Sequence, residues 1–152
     1  MVKKKSKKKR DRDWSQDIMS NIQAIHYKSE KQMDATFAPL EISNEQYKVL
    51  RILNESIEGS YSLKQIQALL PNKTTNTTRL VNKLHLKQLL IKTTAKNDKR
   101  LLQIKLNKAG AELLNKADIE ISVINKKFKK ALKDNNEKSF LKKLVEIKKA
   151  LK

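Results

Sequence analysis

Apolar residues in this chain recur every three or four positions for most of its length, and every two positions only once. Between Trp14 and about Ala35, Ile18, Ile22, Ile25 and Met33 make one stripe, the spacing of a helix with a single apolar face. Pro39 falls in the loop that follows. Ser43, with Gln46 three residues later, predicts a capped helix start, because each side chain satisfies the other residue's free backbone N–H. Tyr47, Leu50 and Leu53 or Asn54 carry that helix on, and Gly59 ends the unit. Ser62 and Gln65 repeat the capping pattern and open a short helix over 63–70, with Leu63, Ile66, Leu69 and Leu70 as its buried side. Pro71 and Asn72 stop it, and a further helix is expected over 74–87. A short helix, a tight break and a second helix form the helix-turn-helix pattern.

The alternation comes next. Leu102, Ile104 and Leu106 are separated by Gln103 and Lys105, a period of two that predicts a strand. Ile91 and Thr93 supply a matching strand, and Lys96-Asn97-Asp98-Lys99 is a polar turn between them. The two read as a two-stranded hairpin, a wing. Asn107 then caps a long helix in which Leu114, Ala117, Ile121, Ile124 and Phe128 step by three and four, a seam like that of a coiled coil. The segment 134–136 breaks it, and Phe140, Leu144, Ile147 and Leu151 stripe a last helix. The expected fold is therefore mostly α: a winged helix-turn-helix with flanking N- and C-terminal helices. Residues 14–152 would be one domain, with 36–106 as its helix-turn-helix and wing core and 14–35 and 107–152 as flanking helices.

Composition agrees. Two glycines and two prolines in 152 residues are too few for the turns of an all-β fold. At 38% hydrophobic and 34% charged, the chain is thinly apolar for a monomer, which favours a core shared with a second copy. It has no cysteine, so disulfides, thiolate metal sites and cysteine redox sensing are closed. No apolar run approaches the ~20 residues of a membrane span, and the charged N-terminus is unlike a signal peptide. A cytoplasmic, nucleoid-associated location is expected, without membrane partners.

The net charge is +19. Such an excess repels itself unless a polyanion binds it, and its placement is uneven. Residues 1–13 hold eight basic residues against Asp11 and Asp13, have no apolar periodicity, and should form a disordered basic tail. That tail reads equally as a DNA-binding arm or as a solvated extension. Residues 72–108 carry ten basic residues against Asp98, whereas residues 40–71 sum to −1. In the helix expected over 74–87, Thr77, Leu80, Val81 and Leu84 must face the core. Thr75, Thr78, Arg79 and Asn82 then point away, with Asn76 and Lys83 on the flanks. Thr, Asn and Arg suit the edges of bases in a major groove: Thr meets a thymine methyl, Asn pairs with adenine and Arg with guanine. Lys73, Thr74, Thr75, Asn76, Thr78, Arg79, Asn82 and Lys83 are accordingly the candidate DNA-binding residues, with Lys96, Lys99 and Arg100 of the hairpin, where Arg100 is placed for a minor groove. Any surface helix has a polar face, but few combine it with so local a charge.

Four segments resemble MarR-type (multiple antibiotic resistance regulator) proteins. The run Ile42 to Leu53 (ISNEQYKVLRIL) is similar to their second helix, and Lys73 to Leu84 (KTTNTTRLVNKL) to their recognition helix. Asp98-Lys99-Arg100 matches the wing-tip Asp-x-Arg, and Leu106 to Gly110 (LNKAG) stands where they carry Leu-Thr-x-x-Gly. Order and spacing agree over residues 36 to 115. The resemblance gives 36–106 the role of DNA-binding core and 14–35 and 107–152 that of dimerisation helices. It implies a homodimer joined by first and last helices, a pseudo-palindromic DNA target, usually repression, and often release by a small aromatic ligand. Two departures stand out. Gln88 occupies a position usually Gly after the recognition helix, and Asn107 replaces Thr, although both residues cap helices well.

The expected function is a sequence-specific duplex-DNA-binding transcriptional regulator, a repressor and homodimer, and not an enzyme. The alternative is an architectural nucleoid protein without sequence preference. A peripheral membrane or ribosome-associated basic protein is a third class, disfavoured by where the charge sits. His26 and His85 are far apart and make no metal site; no cofactor is expected, and two glycines cannot build a P-loop. An effector could lie near Tyr47, Arg51 or His26, although core packing explains Tyr47 as well.

Overall fold

The computed structural model describes residues 13–94, 102–133 and 136–151. The basic tail over 1–12 and the hairpin tip with Lys96, Lys99 and Arg100 lie outside them. Among the described residues the order is α1 (Trp14–Phe37), a short 3-10 turn (Ala38–Leu40), α2 (Asn44–Asn54), β1 (Tyr61–Ser62), α3 (Leu63–Leu69), α4 (Thr77–Leu86), β2 (Leu90–Thr94), β3 (Leu102–Leu106), α5 (Lys108–Ala131) and α6 (Glu137–Ala150). Capping chemistry sets most of the starts. Asp13, assigned by sequence to the tail, instead caps α1 by accepting from the Ser15 N–H at 3.0 Å. Ser43 with Gln46 and Ser62 with Gln65 form the two expected capping boxes. Asn107 Oδ1 accepts from the Gly110 N–H at 2.8 Å.

The sheet has three antiparallel strands in the order β1-β3-β2. The hairpin pairs Lys92 with Ile104, and β1 adds a third strand through Tyr61 opposite Ile104. Sequence periodicity misses β1 because two residues cannot show a period. Phe37, Leu50, Ile66, Leu70, Val81, Leu84, Ile104 and Leu114 are fully or almost fully buried, so α1 to α5 and the sheet share one core.

Three apolar assignments change. Leu69 is 53% exposed rather than buried, because α3 ends there and Leu70 turns inward in extended geometry. Phe128 continues the α5 seam in spacing but is 45% exposed. No described residue of α6 is buried. Its stripe of Phe140, Leu144 and Ile147 instead faces Trp14, Ile18, Ile22 and Ile25 of α1 across an open apolar cavity of about 740 Å³.

Two backbone positions fix how α5 and the wing meet the helix pair. Gln88 follows α4 with φ +57°, the left-handed turn that glycine makes without steric cost. The missing glycine thus leaves the turn's shape unchanged. Gly110, in the first turn of α5, lies so close to β2's entry that a Cβ there would stand 2.2 Å from the Leu89 carbonyl oxygen.

Candidate nucleic-acid interface

Helix α4 is held by one face. Thr77, Val81 and Leu84 are buried and Leu80 half-buried, while Thr78, Arg79, Asn82 and Lys83 are exposed on the other side. Among the described residues none of these four makes an ion pair, so Arg79 and Lys83 present uncompensated charge to solvent.

The helix is shorter than its sequence pattern suggests. It starts at Thr77, not near Thr74, because short polar side chains in the preceding segment bind the backbone locally and compete with helix formation. Asn72 Oδ1 accepts from the Thr74 N–H at 3.0 Å and from the Thr74 hydroxyl at 2.7 Å. Thr75, half-buried, accepts at its carbonyl from the Thr77 N–H at 2.8 Å. Asn76 Oδ1 caps α4 by accepting from the Arg79 N–H at 3.0 Å. Lys73 folds back to donate to the Ala68 carbonyl. Of the eight candidates over 73–83, therefore, Lys73, Thr74, Thr75 and Asn76 belong to the turn before the helix, and only Thr78, Arg79, Asn82 and Lys83 stand on it.

Arg79 and Lys83, with Thr75 and Asn76, line a cavity of about 280 Å³ whose opposite wall is Ser43 and Gln46 at the N-terminus of α2. A helix N-terminus carries partial positive charge, so this wall adds to the two cations. The arrangement can hold an anion such as a backbone phosphate.

One further residue joins the exposed face. Lys92 of β2 donates to Asn82 Oδ1 at 2.6 Å. Sequence reasoning counted Lys92 only as charge. Sequence alternation gave no signal for it, since that pattern turns apolar Ile91 inward, whereas Ile91 is 46% exposed and Lys92 is half-buried. Lys96, Lys99 and Arg100 lie outside the described residues.

The residues weighed as effector contacts separate. Tyr47 is 5% exposed, stacks on Phe37 at 4.7 Å between centroids and donates to Asp118 Oδ1 at 2.7 Å. Burial first, and then this bond, push its hydroxyl pKa up to about 12. It is a core residue joining α2 to α5. Arg51 is exposed and donates to Glu55 at 2.6 Å, and this bond, with a lesser one to Tyr47, raises its pKa. His26 instead lines an apolar cavity of about 560 Å³ with Ile22, Phe128, Leu132 and Phe140. The imidazole Nδ1 of His85 lies 3.0 Å from the Leu90 carbonyl, at the junction of α4 and β2. Among the described residues, no three His, Cys, Asp or Glu side chains gather as a metal site, and no helix is long and apolar enough to cross a membrane.

A short helix, a turn, an exposed second helix and an antiparallel hairpin define a winged helix-turn-helix. Comparison with known proteins narrows the fold. No family model matches the chain. The chain is 26% identical over 128 residues to YhbI, an uncharacterized HTH-type transcriptional regulator of Bacillus subtilis (strain 168), covering 84% of this chain and 81% of YhbI. Among solved structures it is similar to MepR of S. aureus in a MepR–DNA complex, with a TM-score of 0.80, 17% identity, and 89% and 98% of the two chains covered. It is also similar to a mutant of E. coli MarR complexed with operator DNA, with a TM-score of 0.73, 22% identity and coverage of 89% and 94%. The chain has the fold of the MarR-family transcription regulators.

Proposed function

We propose that this chain is a sequence-specific, duplex-DNA-binding transcriptional regulator that acts as a homodimer, and not an enzyme. The observation that carries the reading is α4: a helix anchored by Val81 and Leu84 that presents Thr78, Arg79, Asn82 and Lys83 uncovered. MepR and MarR, which share its fold, have been solved with DNA, the latter with its operator. In this reading α4 enters a major groove, Arg79 and Asn82 meet base edges, and Thr78 adds a methyl contact. Lys83, with the α2 N-terminus, meets phosphate, as do Lys73 and Thr74. Thr75 and Asn76 keep a supporting part at the helix start. The hairpin, with Lys96, Lys99 and Arg100, reaches the adjoining minor groove. The open apolar faces of α1 and α6 suit a second copy of the chain, and two copies would read half-sites about 10 bp apart. Repression, cytoplasmic action and release by a small aromatic ligand belong to the same reading.

The test is selection from a random duplex library at ~150 mM salt, where non-specific binding is weak, with excess competitor DNA. Enrichment of a pseudo-palindrome is the expected result. Binding that follows only duplex length and salt would overturn sequence specificity and leave an architectural DNA protein, the reading its +19 charge favours.

A further inference from the structure

A second cationic surface lies away from α4. Ten lysines fall between Lys126 and Lys149, where the only acids are Asp134, Glu137 and Glu146. Among the described residues only Lys143 of that set makes an ion pair, with Glu146 at 3.0 Å. At about 100° per residue, Lys138, Lys142 and Lys149 share one side of α6, opposite Phe140, Leu144 and Ile147. Lys126 and Lys130 likewise share the side of α5 opposite buried Ile121 and Ile124, Lys133 follows in the turn just past its end, and all six lysines are exposed.

Helix stability does not account for them. Lysine in a last turn is favoured by the helix dipole, which covers Lys149. The same dipole disfavours Lys138, in the first turn of α6. No glutamate stands four residues before Lys138 or Lys142, the favoured order, and Glu146, four residues after Lys142, pairs with Lys143 instead. We propose that the lysine face of α6, with the lysines ending α5, is a docking surface for a second duplex DNA, so that one assembly holds two DNA segments. The proposal rests on the dimeric DNA-binding reading above.

Charge complementarity identifies the occupant. The α6 stripe runs roughly 16 Å, a length over which a duplex presents about ten phosphate charges. A membrane would need the apolar side of α6, but that side lines the concave groove shared with Trp14, Ile18 and Ile22, a shape that fits a helix better than a bilayer. The outward face carries no aromatic residue; Val145 stands on it and Leu141 at its flank, both exposed.

The test is a bridging assay on the full chain: a random-sequence duplex immobilised on beads, a labelled random duplex free in solution, and the triple variant K138Q/K142Q/K149Q. Wild type should carry the labelled duplex to the beads. The variant should carry at least about tenfold less, while its affinity for the immobilised duplex falls far less. Each lysine removed from a phosphate should lower the salt slope of second-duplex binding by about 0.9. An absence of bridging by wild type, or equal bridging by the variant, would overturn the proposal. So would loss of the labelled duplex to vesicles of anionic lipid, which would make the surface a membrane contact. Because both duplexes are random, the assay stands apart from the operator: failure of library enrichment leaves it readable, and failure of bridging leaves the operator reading intact.

Discussion

The ammonium of Lys92 donates to the side-chain oxygen of Asn82 at 2.6 Å, joining the first strand of the wing to the exposed face of α4. An asparagine reads adenine by accepting with its oxygen and donating with its nitrogen at once. With one of the oxygen's two lone pairs taken and the side chain oriented by Lys92, Asn82 presents chiefly its NH₂, which suits an acceptor such as guanine O6 or N7, or a phosphate. Lys92→Met frees the oxygen. The expected outcome is a changed base preference at one position per half-site in library selection, with folding stability altered by less than about 0.5 kcal/mol, as for other surface substitutions. An unchanged preference would show that Asn82 does not read a base.

Gln88 holds φ +57° without glycine's freedom. Gln88→Gly should stabilise the fold by up to about 1 kcal/mol, since a side chain in the left-handed region costs roughly that much. Its carbonyl would go on accepting from the Asn107 amide, 2.6 Å away, because that contact is to backbone. Urea denaturation of the two proteins gives the difference.

Gly110 has the opposite sensitivity. A methyl there meets the Leu89 carbonyl and the Leu106 side chain, so Gly110→Ala must shift α5 away from the entry to β2. The cost should be about 1–3 kcal/mol, the range for overpacking, and should appear as a lower denaturation midpoint with an unchanged slope.

Tyr47 supplies a pH signature. Its hydroxyl is raised from 10 to about 12 in the folded chain, so below pH 10 the group is protonated in both folded and unfolded states. As pH rises from 10 to 12 only the unfolded state gives up its proton, and stability falls by an amount on the order of 2 kcal/mol. Tyr47→Phe should be less stable than wild type at neutral pH, having lost the bond to Asp118, and the gap should close between pH 10 and 12. A gap constant across that range would contradict the assignment.

Local chemistry was the legible part of this sequence. The capping pairs Ser43/Gln46 and Ser62/Gln65, the Asn107 cap and the buried face of α4 depend on neighbours within four residues, and each stands where the pattern puts it. What the pattern hid depends on distant pairing or on competition. β1 exists only because β3, some forty residues on, offers Tyr61 a partner in Ile104. The start of α4 slipped to Thr77 because Asn72 spends its side chain on the turn and Asn76 caps the helix, and helical periodicity cannot detect that. Lys92 became part of the candidate site only when the sheet brought it against Asn82. The stripes of α1 and α6 were legible as apolar, but not as faces left open within one chain.

That openness ties α6 to abundance. A fourteen-residue helix with no buried side chain has little of its own to offset the entropy of staying coiled, so its order depends on company. If two copies pair through these faces, as proposed, the last helix would unwind in a cell holding few copies, and above a threshold each new molecule would find a mate. On that reading, gene dosage would help set how sharply this protein responds to its own accumulation.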